Sequence, residues 1–191
     1  MKNAIIIHGM PSKEEYFEVG RSSSSNNQWL PWLQAKLVKQ NILAQTPEMP
    51  EPYNPKYEEW KKVFEQFEVN EENILIGYSC GGGFLIRWLS ENNIKVGKVF
   101  LVAPWTDPDI EKYLDTGMFD FDIDKNLTQK TKGVSVLYSL DDEDEILNTI
   151  KVLKKETEGI NFIEYKDKGH FCIEDLGGEE FPELLDLVLG N

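Results

Sequence analysis

A serine at position 79 stands at the centre of the pentapeptide Gly77–Gly81, which reads Gly-Tyr-Ser-Cys-Gly. This segment follows the strand-like run 73–76 and precedes the helix-like run 84–89. A G-x-S-x-G serine between a strand and a helix is typical of a nucleophile elbow, a strained turn that exposes the hydroxyl above a sheet. Side chains two residues away on either side would collide with such a turn, and glycine has none. The motif predicts a nucleophilic Ser79, and the alternative is a glycine-rich turn with a capping serine.

The general base that must activate a serine is sought among only two histidines, His8 and His170. His170 follows residues 161–165, which alternate polar and apolar side chains as a half-buried strand does. A loop at the carboxyl end of a strand is where open α/β sheets bind ligands. We therefore predict that His170 is the base, and that His8 is a structural residue of the loop after the first strand.

Five consecutive acidic residues, 141–145, follow the predicted strand at 133–138. A third catalytic group must orient the imidazole and stabilise the imidazolium that forms during the reaction. Most of the five carboxylates must belong to a solvated face or to the acidic first turn of the next helix. Position along the loop favours Asp141 or Asp142, and the pattern alone does not separate them.

Together these features resemble the small serine hydrolases grouped with the retinoblastoma-binding hydrolase and the bacterial YdeN protein. The resemblance spans almost the whole chain, and the family's motifs fall on Gly77 to Gly82, Ser139 to Asp142 and Gly169 to Phe171. The resemblance implies the α/β-hydrolase order Ser-Asp-His, with Asp142 as the triad acid. After Asp142, residues 143–145 are Glu-Asp-Glu, where relatives often continue with Pro or His and an apolar residue. Asp141 therefore remains the alternative acid.

The oxyanion hole is predicted to consist of two backbone N–H groups. One belongs to Cys80, the residue after the nucleophile, which begins a helix whose dipole favours negative charge. The other is expected in the loop after the apolar strand 4–7, where the His-Gly step resembles the oxyanion loop of many hydrolases. That resemblance implies the N–H of Met10, because Pro11 has no N–H.

The remaining elements predict an α/β fold. Strands are expected near 3–7, 42–46, 73–77, 98–103, 133–138 and 160–165, with helical spacing at 56–67, 146–155 and 179–189. Alternating strands and helices indicate a mostly parallel sheet of five to six strands between two helical layers, a three-layer α/β/α hydrolase fold with a small cap. At 191 residues, a single domain over 1–191 is the expectation.

Two stretches lack regular periodicity. Residues 11–28 form a long polar segment directly after the predicted oxyanion turn, and long irregular loops are usually functional or mobile. Residues 104–132 follow the fourth strand and are the natural place for a short cap over the nucleophile. The aromatic side chains of this second stretch are expected mainly to pack the cap down.

Composition excludes several function classes. The formal net charge of −14 argues against nucleic acid and anionic membranes as partners. No apolar run of about 18 residues is present, and the amino terminus lacks a signal peptide, so we expect a cytoplasmic protein. Two histidines far apart and no C-x-x-C predict no metal site, and no cofactor is expected. Cys80 and Cys172 are expected to be reduced thiols, with a redox-sensitive pair as the alternative.

These observations predict a serine hydrolase that cleaves a carboxylic ester or related acyl bond (EC 3.1.1 or related) of a small molecule through Ser79, Asp142 and His170. A thioesterase or peptidase would use the same triad and differ only in substrate. A different class is also open, a protein-binding module on a hydrolase scaffold with weak or vestigial activity, because fold does not determine function.

Overall fold

The computed structural model describes residues 2–106 and 116–190. Its strands are β1 (Asn3–Ile7), β2 (Leu43–Gln45), β3 (Asn73–Tyr78), β4 (Val99–Val102), β5 (Val134–Ser139) and β6 (Ile160–Tyr165). Its α-helices are α1 (Lys13–Tyr16), α2 (Leu30–Lys39), α3 (Tyr57–Phe64), α4 (Cys80–Glu91), α5 (Asp144–Glu156), α6 (Ile173–Leu176) and α7 (Pro182–Leu189). Short 3₁₀ turns occupy Ser24–Asn26 and Leu127–Lys130.

The six strands form one sheet in the order β2-β1-β3-β4-β5-β6, and each neighbouring pair is parallel. The central strands β1 and β3 pair along their full length, from Asn3 opposite Asn73 to Ile7 opposite Gly77. Both strands are almost continuously apolar because both of their faces are covered. The predicted parallel α/β sheet is confirmed.

The hydrophobic core lies in two layers, one on each face of the sheet. Ile5 and Ile7 pack on the side of α3, α4 and most of α5, whereas Ala4 and Ile6 pack on the side of α2 and α7. Side chains of a strand point alternately to opposite faces, so one short strand supplies both layers. The result is the three-layer arrangement expected from the sequence.

The predicted strand positions agree with the structure to within two residues at each end. Of the helices longer than one turn, α2 was not predicted, although its buried Leu30, Leu33 and Leu37 have the spacing of one helical face. The single-turn helix α6 was also not predicted. The segment at 11–28, expected to be irregular, contains the single turn α1 and the 3₁₀ turn at Ser24–Asn26.

Part of the predicted cap lies outside the described residues, namely 107–115. The described remainder of 104–132 includes the 3₁₀ turn Leu127–Lys130 and the aromatic pair Trp105 and Phe119, whose ring centroids are 4.6 Å apart. In the two described ranges, no helix combines the length and the apolar character needed to cross a membrane.

Candidate active site

Ser79 lies at the junction of β3 and α4 in a left-handed backbone conformation, with φ 52° and ψ −119°. Such a conformation is strained for a residue other than glycine and persists only where its surroundings fix it. Here the Ser79 N–H donates to the Val102 carbonyl on β4 at 2.9 Å, and the Ser79 carbonyl accepts from the N–H groups of Gly82 and Gly83. The sheet edge and the first turn of α4 therefore hold the elbow from both sides.

The glycines of the motif are required by backbone contacts. A Cβ atom built on Gly81 would lie 2.4 Å from the Ile7 carbonyl oxygen, and one built on Gly77 would lie 2.6 Å from the Gly81 carbonyl oxygen. A Cβ on Gly83 would lie 1.8 Å from the Trp105 carbonyl oxygen. None of these neighbours is the flexible end of a side chain. The glycine run thus lets α4 start directly against the ends of β1 and β4.

His170 and Asp142 are in direct contact, with 2.9 Å between the imidazole Nδ1 and the carboxylate Oδ1. The Asp142 side chain is fully buried, whereas a quarter of the His170 side chain is exposed. An ionised carboxylate can only accept, so Nδ1 carries the proton and Nε2 is the nitrogen that can receive another. In the part of the chain that the structure describes, no hydrogen bond joins the Ser79 hydroxyl to the imidazole, a bond that often tightens only when substrate binds.

The surroundings of Asp142 favour a cation beside it. Its Oδ1 also accepts from the Glu143 N–H at 2.7 Å, and its Oδ2 is buried with no hydrogen-bond partner among the described residues. A buried carboxylate without a paired cation is costly. Protonation of His170 would supply the missing positive charge at a distance where the two charges attract strongly.

Asp141, the alternative acid, has a different role in the structure. Its Oδ1 accepts hydrogen bonds from the Ser139 hydroxyl at 2.5 Å and from the Gly169 N–H at 3.0 Å. The Ser139 oxygen in turn accepts from the Lys168 N–H at 2.9 Å. The bond from Ser139 is the main reason that the pKa of Asp141 lies below its usual value. Asp141 therefore joins the end of β5 to the loop that carries His170.

His8 is buried, with both ring nitrogens in hydrogen bonds. Nδ1 lies 2.7 Å from the Gly9 carbonyl oxygen and must donate, while Nε2 accepts from the Met49 N–H at 2.9 Å. The ring also packs edge-on against Trp60. This arrangement needs a neutral imidazole and joins the end of β1 to the segment after β2. It provides the structural role expected for His8.

Burial is the largest influence on His8 and lowers its pKa, although the Gly9 carbonyl and the Glu48 carboxylate act in the opposite direction. A folded-state pKa below the unfolded value of about 6.5 means that the unfolded chain binds more protons. The stability contributed by neutral His8 is therefore complete above about pH 6.5 and is lost as the pH falls below it.

We expect the free energy of unfolding to drop more between pH 7.5 and 5.5 in the wild type than in His8→Gln. The extra loss in the wild type should approach about 1.4 kcal/mol, because only the one pH unit between the unfolded pKa of about 6.5 and pH 5.5 contributes. Urea unfolding at the two pH values measures it. Equal drops in the two proteins would show that His8 is not the titrating group.

The two predicted oxyanion donors, Cys80 and Met10, belong to segments that adjoin Ser79. Cys80 is the first residue of α4, so its N–H has no partner within the helix. Gly9 packs so closely on Ser79 that an added Cβ would lie 3.1 Å from the Ser79 Cβ. Met10 follows it, and its N–H donates to no acceptor among residues 2–106 and 116–190. Neither of the two predicted N–H groups is therefore engaged by an acceptor in the described part of the chain.

A cleft of about 220 Å³ opens beside Ser79 and His170. Its outer wall comes from the segment 11–28, through Pro11, Glu15, Tyr16, Arg21, Ser22, Ser24, Asn27 and Gln28. The Glu48 carboxylate fixes this wall by accepting from the N–H groups of Ser24 and Ser25 at 3.2 and 2.7 Å. The long polar segment thus lies where a substrate would enter.

Tyr78 is a residue of the site that sequence reasoning did not single out. Its hydroxyl donates to the His170 carbonyl at 3.0 Å, and its ring centroid lies 5.4 Å from that of the imidazole. Burial raises the pKa of Tyr78 well above its usual value, so the hydroxyl stays a donor. The variable position of G-x-S-x-G gives no signal for this contact.

Both cysteines are free thiols. Cys80 is fully buried, which raises its pKa, and the Cys172 sulfur lies 3.2 Å from the Tyr78 hydroxyl. Over the described ranges, no group of three or more His, Cys, Asp or Glu side chains is arranged to hold a metal ion.

Comparison with known proteins places this site in a family. A family model described as serine hydrolase matches residues 18–189. The YdeN protein of Bacillus subtilis, described as a hydrolase, is 26% identical over an alignment of 183 residues that covers 93% of this chain and 95% of that protein. The crystal structure of that gene product superposes with a TM-score of 0.81 at 24% identity and covers 100% of this chain and 98% of the other.

More distant structures share the fold. A YdeN-like hydrolase from Pectobacterium atrosepticum gives a TM-score of 0.62 at 15% identity, covering 97% of this chain and 89% of its own. Est1E from Butyrivibrio proteoclasticus gives a TM-score of 0.60 at 13% identity, covering 97% of this chain and 88% of its own. Since the family model spans nearly the whole chain and the sheet is that of the α/β-hydrolases, the protein belongs to the serine hydrolase family.

Proposed function

We propose that the protein hydrolyses carboxylic esters or related acyl bonds through a triad of Ser79, His170 and Asp142. The observation that carries the proposal is the contact between a buried carboxylate and the His170 imidazole, in the cleft that also contains the strained Ser79. A nucleophile, a base and a group that orients the base are the parts that acyl transfer by serine requires. A purely binding protein would have no need of this combination.

In the first half of the proposed reaction, the Ser79 Oγ attacks the acyl carbonyl carbon and passes its proton to Nε2 of His170. The carbonyl π electrons move to oxygen, and the oxyanion accepts hydrogen bonds from the Met10 and Cys80 N–H groups. Asp142 keeps the proton on Nδ1 and stabilises the imidazolium. When the tetrahedral intermediate collapses, the bond to the leaving oxygen breaks and His170 donates its proton to that oxygen.

In the second half, His170 takes a proton from water while the water oxygen attacks the acyl carbon. Collapse of this second intermediate breaks the bond to Ser79, and the imidazolium returns the proton to the serine oxygen. The products are a carboxylic acid and an alcohol, and the enzyme regains its starting state. No cofactor enters the balance.

The size of the cleft supports a small-molecule substrate. Pockets for drug-sized ligands usually occupy about 300–1,000 Å³, whereas this cleft holds about 220 Å³. Its wall also combines polar side chains with the apolar surfaces of Met10, Pro11 and Leu30. We therefore propose short acyl groups as the preferred substrates.

A partitioning experiment tests the acyl-enzyme. The two substrates p-nitrophenyl butyrate and phenyl butyrate should form the same acyl-enzyme, which no longer contains the leaving group. In the presence of methanol, both substrates should therefore give methyl ester and free acid in the same ratio. Product analysis at several methanol concentrations measures the ratio, with Ser79→Ala as the background. A ratio that depends on the leaving group would contradict a common acyl-enzyme.

A further inference from the structure

Gln28 ends the polar segment 11–28 and lies in the wall of the cleft with Ser79 and His170. Its backbone has a φ of 56°, a left-handed conformation that is uncommon for a glutamine. Its own N–H is engaged by the Asn27 side chain, whose Oδ1 accepts at 2.8 Å. The residue is thus held in a specific and strained position, as residues at functional sites often are.

The orientation of the Gln28 carboxamide follows from its partner. The Ile173 backbone N–H, at the start of α6, contacts the carboxamide oxygen at 2.8 Å. A backbone N–H can only donate, so the oxygen and not the nitrogen must occupy this side. The bond joins the wall of the cleft to the segment that follows His170.

With its oxygen fixed in this way, the carboxamide has both Nε2 protons left as donors. Nε2 has no hydrogen-bond partner among the described residues, and the side chain is half-buried in the cleft wall. A polar group that is already oriented loses little freedom when it binds an acceptor. Gln28 therefore lines the cleft with a carboxamide whose oxygen is engaged and whose Nε2 protons have no acceptor in the described part of the chain.

The charged side chains of the same wall are already paired. Arg21 contacts the carboxylates of Glu15 and Glu18 at 3.1 and 3.6 Å. Glu15 also accepts from the Ser12 N–H in the capping box of α1. An anionic substrate would meet the Glu15 carboxylate in the cleft wall and the overall negative charge of the chain. The wall is therefore suited to a neutral, polar ligand.

We propose that Gln28 determines substrate specificity by donating a hydrogen bond from Nε2 to a neutral acceptor oxygen of the substrate. The inference rests on the proposed esterase function and adds a substrate class to it. The preferred substrates are neutral esters with an ether, hydroxyl or carbonyl oxygen in the acyl or alcohol part. Alkyl esters of the same length leave the two donors without a partner, which disfavours them.

Pairs of esters that differ by one oxygen test this directly. The acyl pair is p-nitrophenyl methoxyacetate and p-nitrophenyl butyrate, and the alcohol pair is 2-methoxyethyl acetate and butyl acetate. For each pair, the ratio of kcat/KM values is measured in the wild type and in variants. Intrinsic differences in ester reactivity cancel when the ratios of two proteins are compared.

Gln28→Glu keeps an oxygen for the Ile173 N–H but has no N–H donor, and Gln28→Met removes both groups without adding charge. Both variants should lower the preference for the oxygen-containing ester about threefold to tenfold in at least one pair, the effect of a single hydrogen bond. Gln66 is exposed, and its side chain contacts the Lys62 carbonyl outside the cleft. Gln66→Glu, which adds the same charge there, should leave both ratios unchanged.

The outcomes separate the two proposals. If both Gln28 variants keep the wild-type ratio of kcat/KM values in both ester pairs, Gln28 does not have the proposed role, even if the variants hydrolyse all esters more slowly. If the ratio changes in Gln28→Glu but not in Gln28→Met, the effect comes from the added charge, and the proposed hydrogen bond from Gln28 is also overturned. If the folded wild type hydrolyses none of the four esters, the proposed esterase function itself fails.

Discussion

Replacing Ser79 by alanine is expected to lower kcat for an activated ester by about 10⁴- to 10⁶-fold while the protein remains folded. Alanine has the same Cβ as serine, so the left-handed conformation at φ 52° is no more strained in the variant. The loss comes from the nucleophile itself, because only the oxyanion donors and substrate binding remain. Steady-state kinetics with p-nitrophenyl acetate measure the loss of kcat, and a circular dichroism spectrum shows whether the variant remains folded.

Ser22 gives a matched control, since it also lies in the wall of the cleft. Ser22→Ala removes a hydroxyl group of the same kind and should retain turnover within a few-fold of the wild type. If Ser79→Ala retains turnover to the same degree, the nucleophile assignment is wrong.

The adjacent aspartates should differ sharply. Asp142→Asn keeps the size of the side chain but can hold the imidazole in the wrong tautomer, which costs about 10⁴-fold in kcat in a well-studied serine protease. Asp141→Asn keeps an oxygen that can accept from the Gly169 N–H and should lose much less, at most about tenfold. Parallel measurements of kcat for the two variants check the difference.

Asp141→Ala completes this comparison, because alanine cannot join Ser139 to the loop that carries His170. We expect its kcat to lie below that of Asp141→Asn and well above that of Asp142→Asn. The reverse order of the two asparagine variants would make Asp141 the acid of the triad. If kcat falls only slightly, and to a similar extent, in Asp142→Asn and Asp141→Asn, neither carboxylate takes part in the mechanism.

The sequence predicted the parts of the fold that follow from local patterns. The apolar run of β1 and the alternation along β6 indicated strands close to their observed positions. In a parallel sheet the carboxyl ends of neighbouring strands meet at one edge. This rule brought Ser79 after β3, Asp142 after β5 and His170 after β6 into one region. Helix α2 was missed although its leucine spacing was readable.

Contacts between distant segments could not be predicted in this way. Gln28 contacts a backbone group 145 positions away, and Tyr78 contacts the His170 carbonyl 92 positions away. Periodicity reports which face of an element is buried, but it does not report which loop meets which. The separate roles of Asp141 and Asp142 depend in the same way on how the loop after β5 turns. A run of five acidic residues does not indicate which of them points toward His170.

The most direct test of the proposed triad is covalent labelling with a fluorophosphonate, followed by intact-mass measurement and peptide mapping. Such a probe reacts with a serine oxygen that an adjacent base has activated. We expect one adduct per chain, located on Ser79, no adduct in Ser79→Ala, and much slower labelling in His170→Gln. A folded wild-type protein that remains unlabelled, or a Ser79→Ala variant that labels as fast as the wild type, would contradict the account.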